Sequence, residues 1–172
     1  MIAGEITYRP LADDDLPLMA TWLNRSHLRP FFQRTPISTE EVVAKYGSYI
    51  RRDEPTYASL ALLGGAPFGY LQCYRVADWP EFQATIAVDE GVSVDLFIGE
   101  GELIGKGVGR RMLAGYVDRV ALPLHPGERT CWIGHELENI GARKCSTAAG
   151  FTPVREYDEE GRRYILMVRQ TA

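Results

Sequence analysis

Three glycines at alternate positions stand between a strand-like segment and a helix-like segment of this chain: Gly105, Gly107 and Gly109. Apolar residues alternate over residues 92–98, before the glycines, and recur at helical spacing over residues 108–120, after them. Glycines at such a junction let backbone N–H groups approach an anion, and the helix N-terminus adds a partial positive charge. The feature therefore predicts a mixed fold of strands and helices with an anion-binding loop.

The same loop carries three cations, Lys106, Arg110 and Arg111. Cations beside an exposed helix N-terminus indicate a polyanionic ligand, most simply a pyrophosphate. The loop does not match a Walker phosphate loop, because Lys106 is followed by Gly107 and not by serine or threonine. It also differs in spacing and in position along the chain from the Gly-x-Gly-x-x-Gly fingerprint of dinucleotide-binding domains.

The composition indicates one globular domain over residues 1–172, since the chain is long enough for one core and short for two. No segment has the length of a membrane span or the order of a signal peptide, which predicts a cytoplasmic location and no membrane partner. A net charge of −4 argues against nucleic acid as the main partner. Cys73, Cys131 and Cys145 are widely spaced, which favours reduced thiols, and we expect no metal.

Residues 77–105 contain no lysine or arginine. Seven acids fall inside this stretch: Asp78, Glu81, Asp89, Glu90, Asp95, Glu100 and Glu102. Such a run is usually a solvated surface, and the alternative is a pocket for a cationic substrate. The residues themselves leave both interpretations open.

Hydrophobic patterns predict a single mixed sheet flanked by helices. Strands are expected over residues 5–11, 57–63, 68–76, 92–98, 131–133, 151–156 and 164–169. Helices are expected over residues 16–23, 38–50, 108–120 and 139–148. Residues 28–37 and 79–82 are expected to be loops, and the sequence Ser38-Thr39-Glu40-Glu41 predicts a capping box at the start of its helix.

The glycine loop resembles the acyl-CoA-binding loop of the GCN5-related N-acetyltransferases (GNAT), whose pattern is Arg/Gln-x-x-Gly-x-Gly/Ala between the fourth strand and the next helix. Gly107 and Gly109 take the glycine positions, and Ile104 stands where Arg or Gln is usual. Residues 139–151 are similar to the family's Asn-x-x-Ala-x-x-x-Tyr-x-x-x-Gly-Phe helix, with Ser146 at the tyrosine position. The resemblance implies the GNAT fold, with one mostly antiparallel sheet, and acetyl-CoA as co-substrate.

A narrower resemblance is to the aminoglycoside 6'-N-acetyltransferases. It is carried by residues 22–27 with the following Phe31-Phe32 pair, by Tyr74 with Asp78-Trp79, and by residues 89–95 and 103–109. It implies acetylation of the 6' amine of a cationic aminoglycoside, and resistance to these antibiotics. The alternatives are acylation of a siderophore precursor of the lysine type or of another small amine, and a CoA-binding module without turnover. The sequence allows a monomer or a homodimer.

The resemblance also implies roles for individual residues. Asp95 is the expected base or amine anchor, and Ser146 stands in for the tyrosine that protonates the leaving thiolate. Tyr116 or Tyr164 could replace that tyrosine instead, or the thiolate could leave unassisted. The expected acceptor-binding residues are Phe32, Tyr74, Asp78, Trp79, and Glu136 or Glu138 in place of a family carboxylate whose matched position is Gly134. The expected acetyl-CoA-binding residues are Phe97, Ile98, Lys106, Gly107, Val108, Gly109, Arg110, Asn139 and Arg143.

Overall fold

A computed structural model of the chain describes residues 2–171, which form one seven-stranded sheet with helices on both faces. The strands are β1 (Ile6–Pro10), β2 (Tyr57–Leu63), β3 (Ala66–Arg75), β4 (Val92–Ile98), β5 (Thr130–Glu136), β6 (Thr152–Glu159) and β7 (Arg162–Gln170). The helices are α1 (Leu16–Leu23), α2 (Thr39–Ile50), α3 (Pro80–Ile86), α4 (Val108–Tyr116) and α5 (Ile140–Ala148). No helix in this part of the chain is both long enough and apolar enough to cross a membrane.

The sheet has the strand order β1-β2-β3-β4-β5-β7-β6 and is antiparallel at every junction except one. At that junction β4 runs parallel to β5, and the two strands pair only at Val92 with Cys131 and at Ser93 with Trp132. Beyond Ser93 the strands diverge, and a split opens in the middle of the sheet. The mostly antiparallel sheet expected from the sequence is confirmed.

Both faces of β4 are covered, because successive side chains point to opposite faces of a strand. Val92 and Val94 pack into the core beneath α4, which we call the back face. Phe97 packs into a second core with α1 and α2, which we call the front face. The side chain of Asp95 shares the parity of Phe97 and therefore lies on the front face.

Helix α1 and the residues after it hold the end of β4. The Trp22 indole donates a hydrogen bond to Glu100 (2.8 Å), and the Arg25 guanidinium donates to the carbonyl of Gly99 (2.7 Å). The ring of Trp22 occupies the space that a side chain at Gly99 would need. These contacts fix the free end of β4 next to the split.

Several elements differ from the sequence-based expectation. Residues 79–82 were expected to be a loop, but α3 begins at Pro80, because proline at the first helical position loses no intrahelical hydrogen bond. The short strand expected over residues 131–133 runs on to Glu136, because all seven residues of β5 pair with β7. The expected capping box of α2 is confirmed, with Ser38 and Glu41 as its two members.

Candidate active site

The split between β4 and β5 opens into a cleft of about 970 Å³ that reaches both faces of the sheet. Its front end is lined by aromatic residues from four parts of the chain: Phe31, Phe32, Tyr46, Tyr49, Tyr74, Trp79 and Phe82. Its back end is lined by the glycine loop and by one side of α5. A cleft of this size, with polar groups converging on an apolar wall, is the usual form of a small-molecule site.

The backbone of β4 offers an unpaired peptide group to the split. The carbonyl of Gly91 accepts a hydrogen bond from Val76, directly after β3, and the N–H of Gly99 donates to Phe68 of β3. Odd-numbered residues of β4 therefore point their peptide groups toward β3. The peptide N–H of Leu96 consequently points into the split, beyond the last pair with β5. A fixed N–H in this position can stabilise negative charge that develops on a carbonyl oxygen.

Asp95 stands at the front edge of the split. Gln72 donates a hydrogen bond to its carboxylate (2.9 Å). Burial raises the pKa of Asp95, and hydrogen bonds from Gln72 and Tyr74 together with the charge of Lys45 act in the opposite direction. A carboxylate whose pKa is raised by burial accepts a proton more readily, which suits a general base.

Two further carboxylates reach the front part of the cleft, from strands far apart in the sequence. Glu159, at the end of β6, has a pKa raised by burial and by the charge of Asp95. Glu136, at the end of β5, makes ion pairs with Arg34 and with Arg162 (3.7 Å). Sequence reasoning missed Glu159, because the residues Glu159-Glu160-Gly161 indicated only a turn.

Of the seven acids within residues 77–105, only Asp95 lines the cleft. Five of the seven acids are exposed: Asp78, Glu81, Asp89, Glu90 and Glu102. Glu100 pairs with Arg25 at the end of β4. The solvated-surface interpretation therefore holds for most of the stretch. The structure places Glu138 on the surface as well, outside the cleft.

Aromatic side chains form a wall at the front of the cleft. Tyr74 contacts Trp79 and Phe82, with ring centroids 6.0 and 5.8 Å apart, and Phe32 packs on Phe97 at 4.8 Å. The indole N–H of Trp79 is enclosed and has no hydrogen-bond partner among residues 2–171.

The three glycines of the loop have different physical roles. Gly105 and Gly107 have φ of +76° and +82°, and open space surrounds the position of a Cβ at either residue. A Cβ at Gly109 would lie 3.0 Å from the Cys145 sulfur and 3.5 Å from Ile98. The first two glycines thus shape the loop, and the third lets α4 approach its neighbours. Gly107 is the N-cap residue of α4, and it has no side chain that could bond to the first N–H groups of the helix. These N–H groups can therefore bind an anion.

The cations of the loop separate in the structure. Arg110 lines the cleft, whereas Lys106 is exposed at the loop tip and does not. Arg111 donates to the backbone carbonyls of Ile2 (2.9 Å) and Gly4, so it ties the N-terminal segment to α4. Of the three, Arg110 alone is placed to meet an anion in the cleft.

Other expected cofactor-binding residues lie partly outside the cleft. Arg143 turns back to the carbonyl of Leu137 (2.8 Å) and lines a separate groove, while its neighbour Lys144 lines the cleft. Val108 is buried in the back core, so only its backbone can serve a ligand. The ring of Phe97 is buried, and its peptide group points to β3, although the residue lines the cleft.

The carbonyl of Ile98, which also lines the cleft, lies 2.8 Å from the ring nitrogen Nε2 of His27. Asn139 lies in the cleft lining as well, and it caps α5 by accepting a hydrogen bond from the N–H of Ala142 (3.2 Å).

Ser146 lies on α5 with 1% of its surface exposed, and its hydroxyl is 2.7 Å from the ring nitrogen Nε2 of His135. Burial and the charge of Arg143 lower the pKa of His135 to about 4. Sequence reasoning missed His135, because the strand was expected to end at Ile133. Tyr116 is fully buried in the back core, outside the cleft lining.

Gly134 has no room for a side chain, because a Cβ there would overlap the hydroxyl of Tyr157. Tyr157 stacks on Tyr164, with centroids 5.2 Å apart, and both residues line the cleft. A phenol thus fills the place where the family resemblance implies a carboxylate.

The described residues contain no group of three or more His, Cys, Asp or Glu side chains that could hold a metal ion. Cys73, Cys131 and Cys145 are free thiols, and burial raises the pKa of Cys145.

The chain was compared with known proteins. Aminoglycoside N(6')-acetyltransferase type 1 of Klebsiella pneumoniae is 26% identical over 149 residues, which are 85% of this chain and 73% of that protein. A structure of AAC(6')-Ib with paromomycin and acetyl-CoA superposes with a TM-score of 0.85 at 23% identity, over 96% of this chain and 93% of that one. AAC(6')-Ib with coenzyme A and kanamycin gives a TM-score of 0.83 at 24% identity, over 96% and 95%.

These superpositions confirm the GNAT fold expected from the sequence. The family model described as an acetyltransferase (GNAT) domain matches residues 12–159 of the chain. The protein described here therefore belongs to the GNAT acetyltransferase family.

Proposed function

We propose that this protein transfers an acetyl group from acetyl-CoA to the 6' amine of an aminoglycoside. The observation that carries the proposal is the convergence of Asp95, Glu136 and Glu159 on the front part of the cleft. A substrate with several ammonium groups gains from several carboxylates around it, and the aromatic wall offers apolar faces to sugar rings. The similarity to aminoglycoside N(6')-acetyltransferases supports the same substrate class.

The residues of the split provide the chemistry that amine acetylation needs. An ammonium group must lose a proton before it can attack, and Asp95 at the front edge is the base that accepts it. The Leu96 N–H stabilises the oxyanion that develops on the thioester carbonyl. Because the amine enters from the front and the sulfur departs to the back, both substrates occupy the site together.

The back end of the cleft fits the co-substrate. The free N–H groups at the start of α4, with Arg110 beside them, would hold the pyrophosphate of acetyl-CoA. Lys144 and Asn139 line the remainder of this side and can meet polar groups along the chain of the co-substrate.

The test is an acetylation assay with a panel of acceptors. The protein is incubated with acetyl-CoA and kanamycin-type sugars, lysine derivatives or polyamines, and release of free thiol is followed. We expect turnover with the sugars, and NMR of the product should place the new amide at the 6' position. Activity confined to lysine derivatives would refute the proposal. Acetylation of another ring amine would correct the position.

A second candidate is acylation of a small amine that carries its own carboxylate. Lys45 of α2 lines the cleft, and its charge lowers the pKa of Asp95. A lysine in that place can bind a substrate carboxylate, which the acidic stretch alone did not offer. Lys45→Gln separates the two candidates, because it should weaken the binding of lysine-type acceptors and strengthen the binding of cationic sugars.

We further propose that the reaction takes place in the cytoplasm, where free thiols such as those of this chain persist, and that it confers resistance. Expression in a susceptible bacterium should raise the inhibitory concentration of kanamycin-type antibiotics, and Asp95→Asn should abolish the rise. Equal protection by the wild type and by Asp95→Asn would exclude acetylation as the cause of resistance.

A further inference from the structure

His135 occupies a defined place on the far side of the split. The strands β4 and β5 part after the pair Ser93–Trp132. Three residues further along each strand, Leu96 and His135 stand at matching positions across the split. Ile133 of β5 packs into the back core, so His135, two residues later, also points to the back face. This is the face through which the departing sulfur leaves the split.

The hydrogen bond with Ser146 determines which ring nitrogen of His135 carries the proton. Ser146 is buried, and His135 Nε2, at 2.7 Å, is its hydroxyl's only partner among the described residues. A buried hydroxyl proton needs an acceptor, so Ser146 donates to Nε2. The pKa of His135, about 4, leaves the ring neutral at physiological pH. Its single proton therefore sits on Nδ1.

Nδ1 is the ring nitrogen of His135 that the Ser146 hydroxyl does not contact. Within residues 2–171 this atom has no hydrogen-bond partner, and it is not among the enclosed polar atoms that lack one. His135 itself lines the cleft. A neutral N–H donor thus faces the back of the split, while the carboxylate of Asp95 faces the front.

We propose that His135 is a catalytic residue whose Nδ1–H hydrogen-bonds to the leaving sulfur, and that Ser146 is the positioning residue that fixes the ring. This inference rests on the proposed acetyl transfer. The amine nitrogen bonds to the thioester carbon, the carbon–sulfur bond breaks, and its electron pair stays on sulfur. The proton of the amine passes to Asp95 and then through solvent to the thiolate. His135 donates a hydrogen bond throughout and keeps its proton.

Two substitutions at residue 135 test the role of each ring nitrogen. Asparagine places its amide nitrogen near the position of Nδ1, whereas glutamine reaches only the position of Nε2 and keeps the contact with Ser146. We expect kcat to fall about tenfold in His135→Gln and by less than about threefold in His135→Asn, as for loss of one hydrogen bond. Ser146→Ala should lower kcat and leave the KM for acetyl-CoA unchanged, because its effect is on ring orientation.

A second measurement needs no acceptor. Thiolate absorbance during a pH titration of CoA bound to the protein gives the pKa of the bound thiol. We expect a pKa below the ordinary value of about 8.5 in the wild type, and about one unit higher in His135→Gln than in the wild type. Melting temperature and CoA affinity of each variant show whether it is folded.

The outcomes are distinguishable. Unchanged kcat and unchanged thiol pKa in a folded His135→Gln variant would overturn the role of His135 and leave the acetyltransferase function in place. Equal losses in the glutamine and asparagine variants would overturn the assignment of the donor to Nδ1. Failure of the wild type to bind CoA would overturn the proposed function, and this inference with it.

Discussion

Asp95, the proposed base, carries a charge that destabilises the fold. Burial raises the pKa of Asp95, so folding favours its protonated form. The destabilisation is absent below the unfolded-state pKa of the carboxyl and fully present above the folded-state pKa. Asp95→Asn should therefore be more stable than the wild type at neutral pH, and the difference should vanish as the pH falls through the raised pKa.

Urea unfolding over a pH series measures this difference. The same variant should lose turnover by about 10²-fold, in the range for a general base. The matched control is Asp89→Asn, an exposed acid outside the cleft lining, which should change neither quantity. A variant that is less stable than the wild type at every pH would contradict the argument.

Arg34 pairs with Glu136, and we expect it to compete with a cationic substrate for this carboxylate. Its guanidinium reaches from the loop after α1 to the end of β5 and pairs with this carboxylate. We predict that Arg34→Gln lowers the KM for a cationic acceptor about twofold to fivefold, the range of a partly exposed ion pair. Arg51→Gln, which breaks the exposed pair with Asp53, is the control. Steady-state kinetics measure the KM of each variant for the acceptor. A higher KM in Arg34→Gln would mean that Arg34 assists acceptor binding.

Among the secondary-structure elements, the sequence predicted best those features that depend on residues close together along the chain. The capping box of α2 needs only Ser38 and Glu41, and both the box and the glycine loop are present in the structure. The length of β5 depends instead on β7, some thirty residues later, and its last two residues, His135 and Glu136, were not expected on a strand. The error in the length of β5 thus left His135 out of the expected site, whereas Glu136 was already an expected acceptor-binding residue.

The carboxylates of the cleft show the same limit. Acids were dense over residues 77–105, but the turns around α3 expose most of them. The acids that converge on the cleft come from the ends of β5 and β6 and from the middle of β4. Asp95 was predictable, because the alternation of apolar residues fixed its strand and the family resemblance implied its place beside the acceptor amine. Glu159 was not, because its approach depends on how β6 pairs with β7.

The contact between α1 and β4 leaves no space for a side chain at Gly99. An added methyl group at Gly99 would overlap the buried ring of Trp22, so Gly99→Ala should destabilise the protein by about 1–3 kcal/mol. Gly141 in α5 has open space around it, and Gly141→Ala should stabilise by about 0.5–1 kcal/mol through helix propensity. Chemical denaturation of both variants measures the contrast. Equal stability of the two would contradict the packing argument.

In the proposed function the whole molecule holds its two substrates on opposite faces of one sheet. Glu159 lines the part of the cleft nearest Asp95, and Arg110 stands at the back with α4. We predict that Glu159→Gln raises the KM for the acceptor about tenfold and leaves that for acetyl-CoA unchanged, while Arg110→Gln does the reverse. The double variant should show additive effects, since the sites do not touch. Strong coupling in initial-rate measurements would contradict this separation.

The phenol that fills the space at Gly134 also restricts how this enzyme can evolve. An aspartate at residue 134 is sterically excluded while Tyr157 is present. Two substitutions are therefore needed, and their order is set: Tyr157 must shrink before residue 134 can gain a carboxylate. Gly134→Asp alone should fail to accumulate in cells as folded protein, and it should be tolerated after Tyr157→Ala. An acid at residue 134 can therefore be gained only after the tyrosine at residue 157 has been lost.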